Sequence, residues 1–431
     1  MKILIGTDYY YPSVGGLQIV LKEIAERFIK LGHTVTVATS KMQSRKINTH
    51  NGVNIKEFNI KGSYVHGLAG KIKGYQSYVI NGNFDVIMLK AAQSWTIDAL
   101  IPILDKIKYR KVFIPCGFSA LYNPMYSDYY KLMPEILRQF DHLIFYASDY
   151  RDINFARDHN ITNFSIIPNG ASEIEFSVQR ESDFRERLNI KSNSFIILTV
   201  GTFTGGKGHY ELAQAFQFAN FNQPATLILN GNQPSIFPKL KANTLIKEYL
   251  KMGPFSMLKS IYRDLLNAFG LTKNTPKRDW TDIAKEVNSE ESNKTIIITD
   301  FKRENVVQAF LNSDLFVFAS NIEYSPLVLF ESAAAGLPYL TVPVGNSKEI
   351  IEWTQGGILC PASVNNNGRT KVDPRILAEE IMKLANDSEK REQLGKEGKK
   401  NWKKSLTWVK IALEYEKVLK GINTNRGIND K

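Results

Sequence analysis

The most informative stretch of this chain is Glu323-Tyr324-Ser325-Pro326-Leu327-Val328-Leu329-Phe330-Glu331-Ser332-Ala333-Ala334-Ala335-Gly336-Leu337-Pro338. It lies between two short apolar runs, residues 315–319 and 339–342. Both runs are rich in aromatic and β-branched residues, which favours strands of a parallel sheet that are buried on both faces. The alanines between them favour a helix, which Gly336 is expected to end. The sequence therefore predicts a strand, a loop, a helix and a second strand.

This loop and helix carry polar residues suited to binding a ligand. Ser325 is expected to cap the helix with Pro326 in its first turn, and the backbone N–H groups that follow form an anion site. Open α/β sheets bind ligands at the carboxyl ends of their strands, where Glu323 is placed. Glu323 and Glu331 can both accept hydrogen bonds from sugar hydroxyls. Taken alone, the pattern fits a helix with a solvated glutamate equally well.

Length and composition indicate a globular protein with two domains. The chain has 431 residues, of which 43% are apolar, so two domains of roughly 200 residues each are expected. Cys116 and Cys360 lie far apart and offer neither a disulfide framework nor a metal-ligand spacing. No run has the length of a signal peptide or a membrane span. We therefore expect a cytoplasmic protein that is neither secreted nor membrane-spanning.

The net charge of +12 is concentrated in two segments. Residues 239–278 contain nine Lys or Arg against two acids, and residues 390–420 contain ten against four. Such localised charge suits an anionic surface such as phospholipid headgroups at the inner membrane face, and no nucleic-acid partner is expected. The alternative is that these are solvated helix faces that only keep the protein soluble.

The first half of the chain begins with a βαβ unit. A strand at 2–5 leads through a loop containing Gly15 and Gly16 to a helix, and a second strand follows at 34–38. The glycine pair lets the backbone approach a ligand closely, although it lacks the spaced glycines of a dinucleotide-binding fingerprint. Three more strands are predicted before a turn at Asn169-Gly170 closes this half.

The second half repeats the α/β pattern from residue 195 onwards. Its glycine loop, Val200-Gly201-Thr202-Phe203-Thr204-Gly205-Gly206-Lys207-Gly208, lies between a strand and a helix, where backbone amides and Lys207 can hold phosphates. The loop nearly matches a P-loop, but Gly208 replaces the Ser or Thr that binds magnesium. A P-loop NTPase is therefore a minor alternative. An insert at 233–290 contains a predicted helix, for which core packing is favoured over an interfacial position.

Together these motifs resemble the retaining GT-B glycosyltransferases of family 4, the group 1 enzymes of glycogen-synthase, sucrose-synthase and mannosyltransferase type. The resemblance covers most of the chain except the insert. It rests on the order and spacing of these segments: 12–16 with 32–33, 167–170, 200–201 with 207–208, 320–338, 343–345 with 349–351, and 357–359.

The resemblance implies two doubly wound Rossmann-like domains facing across a cleft. Residues 1–178 would form the acceptor-side domain. Residues 179–395, with the insert, would bind the nucleotide sugar. Residues 396–431 would form a C-terminal helix that packs back towards the first domain.

The resemblance also implies a role for each site residue. Glu323 would contact the donor sugar and Glu331 the ribose, while Gly15 and Gly16 close over the donor. The catalytic residues would be Glu323 and Lys207, with Lys207 neutralising the diphosphate; the donor-binding set would be Gly15, Gly16, Thr202, Lys207, Ser325, Leu327, Val328 and Glu331. The implied reaction moves a sugar from a nucleotide-diphosphate sugar, with a UDP-sugar favoured, to a glycan or lipid-linked acceptor. Neither a metal nor another cofactor is expected.

Two residues depart from the family pattern. Thr202 stands where the family usually has an arginine, which removes one cation from the diphosphate site. Cys116 stands near the position of a histidine beside the reacting carbon, and a small buried residue is the favoured interpretation of this cysteine. These departures keep open a third hypothesis, a non-catalytic protein that binds sugar nucleotides.

Overall fold

The computed structural model describes residues 1–232, 279–290, 292–365 and 368–422. The predicted helix of the insert and the basic segment 239–278 lie outside these residues. The strands are β1 Lys2–Gly6, β2 Thr34–Ser40, β3 Thr49–His50, β4 Val53–Phe58, β5 Ile60–Ser63, β6 Gly67–Gly70, β7 Val86–Lys90, β8 Arg110–Ile114, β9 His142–Phe145, β10 Phe164–Ile166, β11 Phe195–Val200, β12 Ala225–Asn230, β13 Lys294–Thr299, β14 Leu315–Phe318, β15 Tyr339–Thr341, β16 Gly357–Leu359, β17 Ser363–Val364 and β18 Thr370–Lys371.

The helices alternate with these strands along most of the chain. The α-helices are α1 Gly16–Lys30, α2 Ile72–Ile80, α3 Trp95–Asp98, α4 Ser127–Arg138, α5 Arg151–Asp158, α6 Phe184–Arg187, α7 His209–Phe218, α8 Trp280–Ser289, α9 Arg303–Asn312, α10 Leu327–Ala335, α11 Ser347–Thr354, α12 Pro374–Asn386, α13 Ser388–Ser405 and α14 Trp408–Leu419. Short 3-10 helices occur at Ile101–Lys106, Pro124–Tyr126 and Glu175–Ser177.

The chain divides into two compact units, the first of which comprises residues 1–180, 322–371 and 387–431. Its main sheet has the strand order β10-β9-β8-β7-β1-β2-β4-β3. All neighbouring pairs are parallel except β3 with β4. The order reverses at β1, which lies between β2 and β7, so the loop after β1 opens at the switch point where such sheets bind ligands.

Successive side chains of the central strands enter two different hydrophobic layers. On β1, Ile3 and Ile5 pack in one layer with α1 and α14, whereas Leu4 packs in the layer on the other face. Burial on both faces explains why these strands are apolar runs without alternation. In the first layer, Nε2 of His33, just after α1, lies 2.7 Å from Oε1 of Glu416 on α14, which ties the two helices together.

The second unit comprises residues 181–321 and 372–386. Its strands β13, β12, β11 and β14 are parallel and adjacent in that order. Helix α7 packs against α8 and α12. These parallel sheets confirm the predicted α/β class, while the predicted domain boundaries stay predictions.

The stretch from residue 315 to residue 342 forms the predicted elements. Strand β14 is followed by a loop, helix α10 and strand β15. Gly336 ends the helix in the left-handed conformation with φ of 74°, as expected of a glycine after the last turn. Among the described residues, no helix has both the length and the apolar character needed to cross a bilayer.

Candidate functional site

The first unit brings the N-terminal glycine pair against the start of α10. A Cβ atom on Gly16 would lie 3.9 Å from Cδ1 of Leu327, the first residue of that helix. Gly15 precedes α1 and makes no side-chain cap. Five predicted donor-binding residues, Gly15, Gly16, Leu327, Val328 and Glu331, therefore lie on two helix N-terminal regions that meet within this unit.

The predicted helix cap at Ser325 is wrong. Pro326 is the residue that precedes α10, in an extended conformation, and no side chain caps the helix. Pro326 itself has an extended ψ of 116° and so occupies the N-cap position, which leaves Ser325 one residue outside it. Its Oγ is buried without a hydrogen-bond partner among the described residues. The first N–H groups of α10 thus lack a side-chain cap, as an anion site requires.

Glu323 lies in the loop between β14 and α10, and Glu331 lies on α10, as predicted. Glu323 is half-buried in the loop after β14, and its backbone carbonyl accepts a hydrogen bond of 2.8 Å from the Tyr150 hydroxyl. Glu331 lies one turn into α10 and is only 5% exposed. A buried glutamate excludes the solvated-helix alternative for that residue. The roles of both carboxylates towards a ligand stay predictions.

Tyr324 fixes this loop to the carboxyl end of the main sheet. Its ring stacks on those of Tyr146 and Tyr150, with centroids 5.5 Å and 4.5 Å away. Its hydroxyl accepts a hydrogen bond of 3.0 Å from the Tyr146 backbone N–H and donates one to the Asp152 carboxylate. Burial raises the pKa of Asp152 to about 6, and its Oδ2 accepts from the Gly117 N–H at 2.7 Å. Tyr324 therefore sets the position of Glu323.

Replacing Tyr324 with Phe should destabilise the protein by about 1–3 kcal/mol, because the buried Asp152 carboxylate and Tyr146 N–H would each lose a partner. Urea unfolding measures this loss. Tyr122→Phe is the control, since Tyr122 is 59% exposed. A free energy of unfolding equal to that of the unaltered protein would show that the Tyr324 hydroxyl contributes nothing.

Sequence patterns did not point to Tyr324, nor to the strained backbone beside it. Ala91 and Gln93 after β7, and Cys116 and Phe118 after β8, all have φ between 45° and 70°. Left-handed conformations cost energy in residues other than glycine and concentrate at functional sites. Because this strain depends on tertiary packing, no residue type in the sequence signals it.

Cys116 is a poor nucleophile in this arrangement. Burial raises the pKa of its thiol to about 11, so the thiol stays protonated at neutral pH. The residue packs at the edge of the hydrophobic layer that contains α1. Cys116 is half-buried there, so the interpretation of this cysteine as a small buried residue holds only in part.

The second unit contains the other glycine loop, residues 201–208, with Thr202 half-exposed and Lys207 near its end. The loop is held against the end of β14, since Gly206 O accepts from the backbone N–H of Asn321 at 3.0 Å and from the Ser320 hydroxyl at 3.1 Å. Glu323 follows Asn321 by two residues. The second glycine loop thus contacts the residues that directly follow β14.

The geometry of Gly208 disfavours the P-loop alternative. Its φ is +73°, and a Cβ atom there would lie 2.0 Å from the carbonyl oxygen of Ala319. No side chain fits in that space, so a serine or threonine that binds magnesium cannot stand at this position. The glycine that breaks the P-loop motif is therefore required by the packing of the loop.

A buried histidine lies directly after this loop. His209 is 1% exposed, and its ring lies 4.7 Å from the Phe203 ring and 5.7 Å from the Trp280 ring. The pKa of His209 is lowered to about 4, mainly by burial and to a smaller extent by the positive charge of Lys207. The imidazole is therefore neutral at pH 7, so Lys207 is the charged member of this pair.

Glycine loops, helix N-termini and glutamates on doubly wound α/β units are features of the GT-B class of glycosyltransferases. A family model supports this assignment: residues 281–401 match the family described as Glycosyl transferases group 1. Over these residues the chain is similar to the group 1 glycosyltransferases, as the resemblance predicted.

Curated relatives are similar to this chain at low to moderate identity. N-acetyl-alpha-D-glucosaminyl L-malate synthase of Bacillus anthracis is 21% identical over 439 residues, which cover 97% of each chain. Spore coat protein SA of Bacillus subtilis is 33% identical over 113 residues, which cover 26% of this chain and 28% of that protein. The second match therefore concerns only part of both proteins.

Solved structures share the fold over nearly the whole chain. Sucrose-phosphate synthase from Thermosynechococcus elongatus has a TM-score of 0.68 at 16% identity, covering 98% of both chains. HepE of Anabaena, solved in complex with UDP, has a TM-score of 0.66 at 15% identity, covering 98% of this chain and all of that one. These likenesses confirm the GT-B fold.

Proposed function

We propose that this glycosyltransferase is a retaining, metal-independent enzyme that transfers a sugar from a UDP-sugar to a glycan or lipid-linked acceptor. The acceptor would belong to cell-surface polysaccharide or glycoconjugate synthesis. The observation that carries the proposal is the meeting of the Gly15–Gly16 loop with the uncapped N-terminus of α10, which bears Glu331. UDP as the carrier is supported by the structure of HepE with that nucleotide.

The proposed mechanism uses fixed charges. Breaking the bond between sugar and phosphate leaves negative charge on the diphosphate, so positive groups there stabilise the transition state more than the ground state. Lys207 and the N–H groups of Leu327 and Val328 supply this stabilisation. Glu323 orients the sugar through its hydroxyls, and Glu331 holds the ribose. Because Lys207 and a helix N-terminus supply positive charge, the reaction needs no metal.

The proposed location is the cytoplasm, at the inner membrane face. Support comes from the basic segment 390–420, which lies on α13 and α14. Several of its lysines form ion pairs with neighbouring glutamates, as Lys396 does with Glu392 and Lys400 with Glu397. Exposed pairs of this kind contribute little stability and leave the lysines able to contact anionic headgroups.

The reaction is tested by supplying candidate sugar donors with and without acceptors, and by measuring both donor binding and release of nucleoside diphosphate. Binding with turnover supports the proposal. Binding without turnover over every acceptor would instead favour a non-catalytic protein that binds sugar nucleotides. ATP hydrolysis that Lys207→Ala abolishes would favour the P-loop alternative.

Replacing Glu331 with Ala should weaken donor binding about 10–100-fold, because charged hydrogen bonds to ribose hydroxyls contribute about 1.5–3 kcal/mol. Isothermal titration with UDP measures the change. Glu352→Ala is the matched control, since Glu352 is an exposed glutamate on the nearby helix α11. An unchanged dissociation constant for Glu331→Ala would remove this residue from the donor site.

A further inference from the structure

The last residue of strand β7 is a lysine inside the protein. Lys90 is only 1% exposed, and every residue of its strand is buried. Its Nζ donates a hydrogen bond of 3.5 Å to the carbonyl oxygen of Leu17 and lies 5.4 Å from the centre of the Tyr146 ring. No carboxylate in the described part of the chain forms an ion pair with it.

A buried ammonium group without a counter-ion is costly. Removing such a charge from water costs several kcal/mol unless an opposite charge compensates it. A carbonyl at 3.5 Å and an aromatic ring compensate only part of that cost. Burial lowers the pKa of Lys90 to about 8, so most molecules still carry the charge at pH 7. An anion that binds nearby would supply the missing counter-charge.

The position of Lys90 indicates where that anion binds. Leu17 lies in the first turn of α1, directly after Gly15 and Gly16. This first turn contains no acidic residue, and no side chain caps its N–H groups. The helix dipole makes the same turn positive. Lys90 therefore adds a full positive charge behind a loop that is already a potential anion site.

We propose that Lys90 is a positioning residue for the donor diphosphate, acting through the first turn of α1. Its ammonium group holds the Leu17 carbonyl and so orients the Gly15–Gly16 loop. Its charge strengthens the attraction of that loop for the diphosphate. This inference rests on the proposed function, since it assumes that the loop receives a nucleotide diphosphate.

The groups that face Lys90 stay neutral over the pH range in which Lys90 titrates. Cys116, on the loop after β8, has its pKa raised to about 11 by burial. Burial also raises the pKa of Tyr146, after β9, well above that of an ordinary tyrosine. The first turn of α1 contributes no titratable acid. A change in anion binding between pH 7 and 8.5 that depends on Lys90 therefore reports on Lys90 itself.

The experiment is a calorimetric titration of the full chain with UDP at pH 7.0 and pH 8.5. Lys90→Met removes the charge and keeps an unbranched side chain that is one atom shorter. We expect about 10–30-fold weaker binding of UDP at pH 7.0, in the range of one charged hydrogen bond. The unaltered protein should bind UDP more weakly at pH 8.5 than at pH 7.0, whereas binding by Lys90→Met should hardly change.

Lys111→Met is the matched control. Lys111 lies at the opposite end of the neighbouring strand β8, and its Nζ also donates to a backbone carbonyl, that of Ile107, at 3.2 Å. Replacing Lys111 with Met also removes one positive charge and one hydrogen bond to a backbone carbonyl, but not beside the Gly15–Gly16 loop. UDP binding by this variant should equal that of the unaltered protein.

Thermal unfolding without nucleotide separates positioning from a structural role. Because Lys90 carries an uncompensated charge, Lys90→Met should raise the melting temperature, by about 2 °C. A structural lysine would instead give a lower melting temperature. A lower value, or UDP binding by Lys90→Met equal to that of the unaltered protein, overturns the inference alone. If the unaltered protein binds neither UDP nor other nucleoside diphosphates, the proposed function fails first and the inference with it.

Discussion

Lys207→Met should lower the rate of sugar transfer by about 10²–10³-fold, the largest effect that we expect of any single replacement. Charge builds up on the departing diphosphate only as the sugar bond breaks, so the loss should fall on kcat more than on donor affinity. The neighbouring His209 cannot substitute for the lysine, because its pKa of about 4 leaves it neutral. Steady-state measurement of nucleoside diphosphate release checks the result.

Lys285→Met serves as the control for Lys207→Met. Lys285 is exposed on α8 in the same unit, so the replacement removes one positive charge from the surface. Its rate should equal that of the unaltered protein. A rate for Lys207→Met within threefold of the control would show that Lys207 does not stabilise the leaving diphosphate.

Glu323→Gln should lower kcat by about 10²-fold, because an amide replaces one carboxylate oxygen with a donor and weakens acceptance from sugar hydroxyls. The loop should keep its position, since the Tyr150 hydroxyl binds the backbone carbonyl of Glu323 and Tyr324 remains anchored. UDP alone should bind normally, since it carries no sugar for Glu323 to contact. Transfer assays and UDP titration of the same preparation separate the two effects.

The control for Glu323→Gln is Glu352→Gln, which changes an exposed carboxylate on α11. It should leave both transfer and UDP binding unchanged. If Glu323→Gln lowered UDP affinity as strongly as transfer, Glu323 would act on the nucleotide and not on the sugar.

Strands and helix ends could be predicted where they depend on a few neighbouring residues in the sequence. The apolar runs at 2–5 and 315–319 form strands β1 and β14, because a strand that is buried on both faces needs apolar residues throughout. Gly336 ends α10, because the left-handed backbone at that position favours glycine. The cap at Ser325 failed for an equally local reason. Pro326 itself is extended and serves as the residue before the helix, so the helix begins at Leu327, one residue later than predicted.

The candidate site was predictable only in part. Glu323, Glu331 and the two glycine loops belong to segments that occur in a recognisable order along the chain. Tyr324 and Lys90 carry no such signal, since a tyrosine in a loop and a lysine at the end of a strand are ordinary in any sequence. The importance of Lys90 arises from its burial, and that of Tyr324 from the partners that face it.

The sequence by itself determined the α/β class, the positions of the glycine loops and the order of the two glutamates, because periodicity and glycine act over a few residues. Only the tertiary structure decided that Gly16 meets Leu327, that Gly208 leaves no space for a side chain, and that Lys90 is buried behind the first turn of α1. These facts depend on contacts between segments that are distant in the chain, and on the free energy of burying charge among them.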